Sequence, residues 1–230
     1  LEAFVHAAVA LGHGQVEFDP DGIARSVYLW EGFGAARHPQ LALALLQTVS
    51  PDLARRYPAP PVGEGIDHQQ WQRADWLRMP FSGPPGTYTH YSYRAVLNGE
   101  VPPEALRGKV LLIGATAAGM ADAVPTPTSG LSRPMPGVEV QANVFDALRR
   151  GVAVMPLAPW VSAAVAGVLV VGLMLSLLYA SPRTGLAASF ILGGLALLLA
   201  AFGLHLGGWW FGPAPAVLGC MLAYPLWSWR

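Results

Sequence analysis

The chain has 230 residues, 53% of them hydrophobic, and carries no net charge at pH 7, with 14 acidic and 14 basic side chains. Every Asp and Glu precedes residue 150, whereas residues 151–230 hold only Arg183 and Arg230 as charges. That asymmetry excludes a single soluble domain, and a neutral chain whose one lysine is Lys109 excludes the broad basic surface that neutralises nucleic-acid phosphates. The lone cysteine, Cys220, lies in the apolar part, so an intramolecular disulfide is impossible.

In chain order, residues 1–11 form an apolar run without a charged leader or a small-residue cleavage site, unlike a signal peptide. The chain is therefore expected to begin inside a longer protein. Asp19-Pro20-Asp21-Gly22 is a strong turn signal, and residues 23–30 after it read as a strand. Residues 41–49 form an apolar helical run bounded by Pro39 and Pro51. Residues 50–90 hold Pro58-Ala59-Pro60-Pro61 and Gly83-Pro84-Pro85-Gly86 and read mostly as surface loop, with a short strand at 76–79. A short helix is expected at 91–97.

Residues 110–113, Val-Leu-Leu-Ile, read as a central strand buried on both faces. A small-residue loop, 114–119, and a long loop through residue 137 follow. Val140, Val144 and Leu148 then mark a helix over 138–148, which Arg149 and Arg150 close favourably for its dipole. Strand, loop and helix together predict an α/β domain over 1–155.

Chemistry-bearing motifs are sparse. Gly114 and Gly119 have P-loop spacing, but no Lys-Ser or Lys-Thr follows, and the dinucleotide fingerprint lacks its second glycine. The glycines therefore read as a turn at a strand end. His6, His13, His68 and His90 lie without carboxylates at ligand spacing, so no metal and no cofactor is expected. Ser82, Ser92 and Ser129 are not set in a nucleophile elbow, and Glu139 and Asp146 are seven apart on one helix. No catalytic set emerges.

The last 80 residues contain three uncharged runs, 157–180, 184–204 and 209–229, each near the roughly 20 residues that cross a hydrocarbon core. Trp160, Tyr179, Trp209, Trp210, Trp227 and Trp229 flank these runs, as in interfacial aromatic belts. An all-α transmembrane region of three helices in a lipid bilayer is expected. Arg149 and Arg150 on one side balance Arg183 and Arg230 on the other, so charge counting leaves the orientation tied.

The block from Arg107 to Gly119, continuing through Asp122, Thr126-Pro127 and the stretch Met135 to Asn143, resembles the CHASE2 family of bacterial extracytoplasmic sensory domains. Asp19-Pro20-Asp21-Gly22-Ile23-Ala24-Arg25 is similar to that family's Asp-x-Asp-Gly-x-x-Arg segment, and the stretch from Tyr91 to Leu97 also fits. Gln141 stands where many members have histidine. The resemblance covers most of 10–155 and implies a partial sensory domain, three membrane helices and an extracytoplasmic 1–155 on the bacterial inner membrane. It also implies a homodimer, with a cytoplasmic histidine kinase or nucleotide cyclase beyond Arg230 as output domain and no enzyme within this chain. The signal would be an unknown small ligand or periplasmic partner. In an open α/β sheet, ligands bind at the carboxyl ends of strands, which makes Asp122, Thr126 and Asn143 the ligand-binding candidates; loop support and helix capping are the competing reading for each. A membrane-embedded enzyme or transporter component is the rival function, disfavoured because the spans carry no Asp, Glu, Lys, Arg or His, only the weakly acidic Cys220 and tyrosines, with Arg183 and His205 at their ends.

Overall fold

The computed structural model describes residues 2–34, 37–61, 70–117, 122–179 and 181–229. Gly119, His68, Ala180 and Arg230, all singled out in the sequence, lie outside them. The chain divides into two compact units, Leu1–Ala153 and Val154–Arg230.

The first unit contains, in order, α1 (Glu2–Ala7), β1 (Glu17–Phe18), β2 (Ala24–Phe33), β3 (His38–Pro39), α2 (Leu41–Val49), α3 (Pro51–Ala54), β4 (Trp71–Arg78), α4 (Tyr93–Leu97), α5 (Pro103–Leu106), β5 (Ala123–Thr126), β6 (Gly130–Pro136) and α6 (Gly137–Arg150). The ten-residue strand β2 is the centre of an antiparallel sheet. β4 pairs with it from Ser26↔Arg78 to Phe33↔Trp71, β1 pairs with its start, and β3 pairs at Trp30 and Glu31. Val27, Leu29 and Trp30 of β2 join Leu43 and Leu46 of α2 and Val140, Val144 and Leu148 of α6 in one core. The 3.6-residue period of the two helices puts those side chains on single faces, so sheet and helices bury a common layer.

The turn before β2 is held ionically. Arg25 donates to Asp19 at 2.7 Å and to both Asp21 oxygens at 2.9 and 2.8 Å, and Arg78 reaches Asp19 at 3.0 Å. Gly22 sits at φ 77°, a left-handed conformation that costs glycine little. Helix α6 ends at Gly151 in the same region, φ 67°.

Three sequence expectations are corrected. Residues 110–113 are not a strand: among the described residues they take part in no backbone hydrogen bond outside regular elements, and Leu111 and Ile113 are 54% and 80% exposed. A strand buried on both faces needs paired neighbours, and among the described residues β2 has that position. The sheet is therefore antiparallel and the unit mixed α/β, with no central parallel strand among the described residues. The expected long loop before α6 is the antiparallel hairpin β5–β6, Ala123↔Pro136 to Thr126↔Gly130. The short strand expected at 76–79 extends back to Trp71.

The second unit contains β7 (Met155–Pro156), α7 (Pro159–Leu177), α8 (Pro182–Gly207), β8 (Trp209–Trp210) and α9 (Ala214–Ser228). Helices α7 and α8 are long and apolar enough to cross a bilayer, with mean hydropathy 2.2 in their most apolar stretches, of which only 17% and 28% is buried. Their outward side chains, among them Val168, Phe190, Ile191 and Leu198, are apolar, the reverse of a helix in a soluble core. Helix α9 has 15 residues, about 22 Å at 1.5 Å per residue, short of a span by itself. Among the described residues two helices rather than three meet the length of a crossing. Leu173 and Leu177 of α7 pack on Cys220 and Ala223 of α9. At Gly219 an added Cβ would lie 2.5 Å from Val170 Cγ2, so the missing side chain lets α7 and α9 approach closely.

Candidate functional site

A cavity of about 590 Å³ opens in the first unit, within the range of small-molecule sites. One wall is the extended segment His13 to Val16. Facing it are Leu112, Ile113 and Gly114, the start of β5 at Asp122 and Val124, and the first turns of α6 at Gly137, Val138, Val140 and Gln141.

Local packing sets these walls. Gly137 donates its backbone N–H to the Asp122 carbonyl at 2.8 Å, and a Cβ on Gly137 would overlap the Asp122 carboxylate. Asp122 is thus held against the N-terminal turn of α6, where unpaired backbone N–H groups favour a negative charge. A Cβ on Gly114 would lie 2.5 Å from Val138 Cβ, which fixes how near residues 112–114 come to α6.

Gln141 closes one end. Its Oε1 accepts from Gln40 Nε2, and its Nε2 donates to the Gly14 carbonyl at 3.0 Å. Gln40, fully buried, also accepts the Ala42 N–H and so caps α2. This relay ties α2, α6 and residue 14 together across more than 100 residues of sequence. A glutamine supplies donor and acceptor at once, which is the physical use of the position at which the family resemblance expects histidine.

The three sequence candidates do not converge. Asp122 lines the cavity and is exposed to it. Thr126 is fully buried in the hairpin turn, with its N–H donated to Ser129 Oγ at 2.9 Å and its hydroxyl bonded to Ser129 at 3.0 Å. Asn143 is 1% exposed. Its Oδ1 accepts the Ser82 N–H at 2.9 Å, and its Nδ2 donates to the Glu139 carbonyl at 2.9 Å. Thr126 and Asn143 are not among the side chains around the cavity.

Glu139 was legible only as a helix residue. Its buried carboxylate accepts the Gly86 N–H at 2.9 Å and the Thr87 N–H at 3.1 Å. With Asn143 one turn on, it fastens the proline-rich segment 82–88 to α6; these partners are 52 to 61 residues apart, which no local pattern reveals. Among the described residues no group of three His, Cys, Asp or Glu side chains is arranged to hold a metal ion.

By class this is a mixed α/β module that continues in sequence into strongly apolar helices. The CHASE2 domain family model matches residues 2–179, well over half of the 230 residues, and the chain belongs to the CHASE2 domain family. The match runs past the first unit and includes all of α7. CHASE2 domains are extracytoplasmic sensory domains of membrane-bound signalling receptors. No curated protein and no solved structure gives a significant match to the chain.

Proposed function

We propose that this chain is the sensory input and membrane-anchoring part of a bacterial signal-transduction receptor, in which a small extracytoplasmic solute enters the 590 Å³ cavity beside Asp122. The observation that carries the reading is the cavity itself, reached by the first turns of α6 and walled by the Asp122 carboxylate, the amides of Gln15 and Gln141, the His13 imidazole and apolar side chains. Helix α6 leads by chain continuity through residues 151–158 into α7. A solute that favours one placement of α6 over another shifts the populations of the two, because only differential affinity moves such an equilibrium.

In this reading the second unit spans the inner membrane with α7, α8 and the uncharged run 209–229 that contains α9, the first unit is extracytoplasmic, and Arg183 in the first turn of α8 lies in the cytoplasm. The receptor works as a homodimer and passes the signal to a histidine kinase or nucleotide cyclase; the chemistry belongs to that output domain, and this chain supplies none. Family membership and the outward apolar faces of α7 and α8 support this arrangement.

The test is a fusion of the whole chain to a cytoplasmic histidine-kinase output, compared with its Asp122→Asn variant. Removing the charge at the cavity is expected to change basal or stimulated output while the thermal midpoint of the protein is kept. Unchanged output from a normally folded variant contradicts the assignment of Asp122.

A further inference from the structure

A second, smaller cavity of about 180 Å³ is lined by Leu11, Gly12, His13, Glu31, His38 and Trp71. His13 stands between it and the larger cavity, touching both. Glu31 is one of its walls. The strand register sets Glu31 of β2 opposite His38 of β3 and Arg73 of β4, and directly opposed residues share one face of a sheet.

Glu31 is 1% exposed, yet among the described residues neither of its carboxylate oxygens has a hydrogen-bond donor. Both ring nitrogens of His13 are likewise buried and without a partner. A buried carboxylate without donors carries a large desolvation cost, and such a group calls for a partner that completes it.

The nearest cation does not fill that role. Arg73 Nε is 3.4 Å from Glu31 outside hydrogen-bond geometry, and the same guanidinium is 3.1 Å from Glu17. Two carboxylates therefore share one fixed positive charge. Arg37, the other nearby arginine in sequence, forms no ion pair with Glu31 among the described residues, and its own Nε is buried without a hydrogen-bond partner there. His13 lies 3.9 Å from Glu31, and burial, with His38 and Arg73 nearby, lowers its pKa, which keeps the ring neutral and able to accept a proton donor. A metal ion lacks a third converging ligand among the described residues. What the site lacks is a positive group with several N–H donors, small enough for 180 Å³ and compatible with the half-exposed indole of Trp71.

We infer that this cavity is a binding site for a small primary ammonium group, whose N–H donors reach the Glu31 carboxylate and the His13 imidazole while its alkyl part lies against Leu11 and Trp71. This site is separate from the Asp122 assignment and stands or falls without it.

The experiment is a titration of the full chain in detergent micelles, labelled with ¹⁵N-histidine, with n-propylammonium chloride, and with n-propanol as the neutral probe of the same shape. The His13 signals, identified by their loss in His13→Gln, are expected to shift saturably with the amine and not with the alcohol. Glu31→Gln is expected to weaken the amine by at least about tenfold, the scale of one lost charge-assisted hydrogen bond. Equal response to amine and alcohol, no response to the amine, or undiminished amine binding in a folded Glu31→Gln overturns the inference. If Glu31→Gln does not fold, the amine-against-alcohol comparison on the unaltered chain decides it.

Discussion

Asp21 and Arg25 show how much one short motif settles. The Asp-Pro-Asp-Gly turn was readable from residue type, since Asp accepts from its own backbone two residues on and glycine takes the left-handed position; the Ile23 N–H donates to Asp21 at 3.1 Å accordingly. The two parallel bonds from Arg25 and that backbone bond hold the Asp21 carboxyl down at about 2, from an ordinary 3.8. A carboxyl whose folded pKa is depressed stabilises the fold fully above its unfolded value and loses that contribution as pH falls through the folded one. The thermal midpoint is thus expected to drop between about pH 3.8 and about pH 2, and Asp21→Asn is expected to flatten that part of the curve; scanning calorimetry of both forms over this interval checks it. The hydrogen bonds of Gln40 and Gln141 were not readable, because they join residues 101 apart and each glutamine alone looks like an ordinary helix or turn residue.

Elements were legible where their own ends and periods defined them. Helix α2, Leu41–Val49, lies between Pro39 and Pro51, and α6 is announced by its Val140, Val144 and Leu148 spacing and stopped by Gly151. The hairpin β5–β6 was hidden by Pro125, Pro134 and Pro136 within its strands, since proline argues against a strand unless the strand is at an edge. Residues 110–113 misled in the opposite way: a continuous apolar run signals burial but does not say which neighbour buries it. The proline-rich segment 82–88 looks like free loop, yet Glu139 and Asn143 fasten it to α6. Asn143→Ala leaves the Ser82 N–H without its acceptor and is expected to cost about 1–3 kcal/mol. Denaturant unfolding is the check, together with faster amide exchange confined first to residues 82–88; full stability in the variant contradicts the tether.

At the scale of the whole molecule, composition already separated a charged part from an apolar part, and the division of the chain into Leu1–Ala153 and Val154–Arg230 follows that line. Side and purpose were not in the composition: a helix with two equal arginine counts at its flanks has no preferred orientation, and the family match to residues 2–179 supplies the extracytoplasmic assignment. Cysteine accessibility in cell-wall-free bacteria tests the resulting account most directly, in a Cys220→Ala background that carries either Leu97→Cys, at an exposed position of the first unit, or Arg183→Cys, at an exposed position in the first turn of α8. A membrane-impermeant maleimide is expected to label Leu97→Cys in intact cells and Arg183→Cys only after lysis. Labelling of Arg183→Cys in intact cells while Leu97→Cys is protected would contradict an extracytoplasmic sensor anchored by these helices.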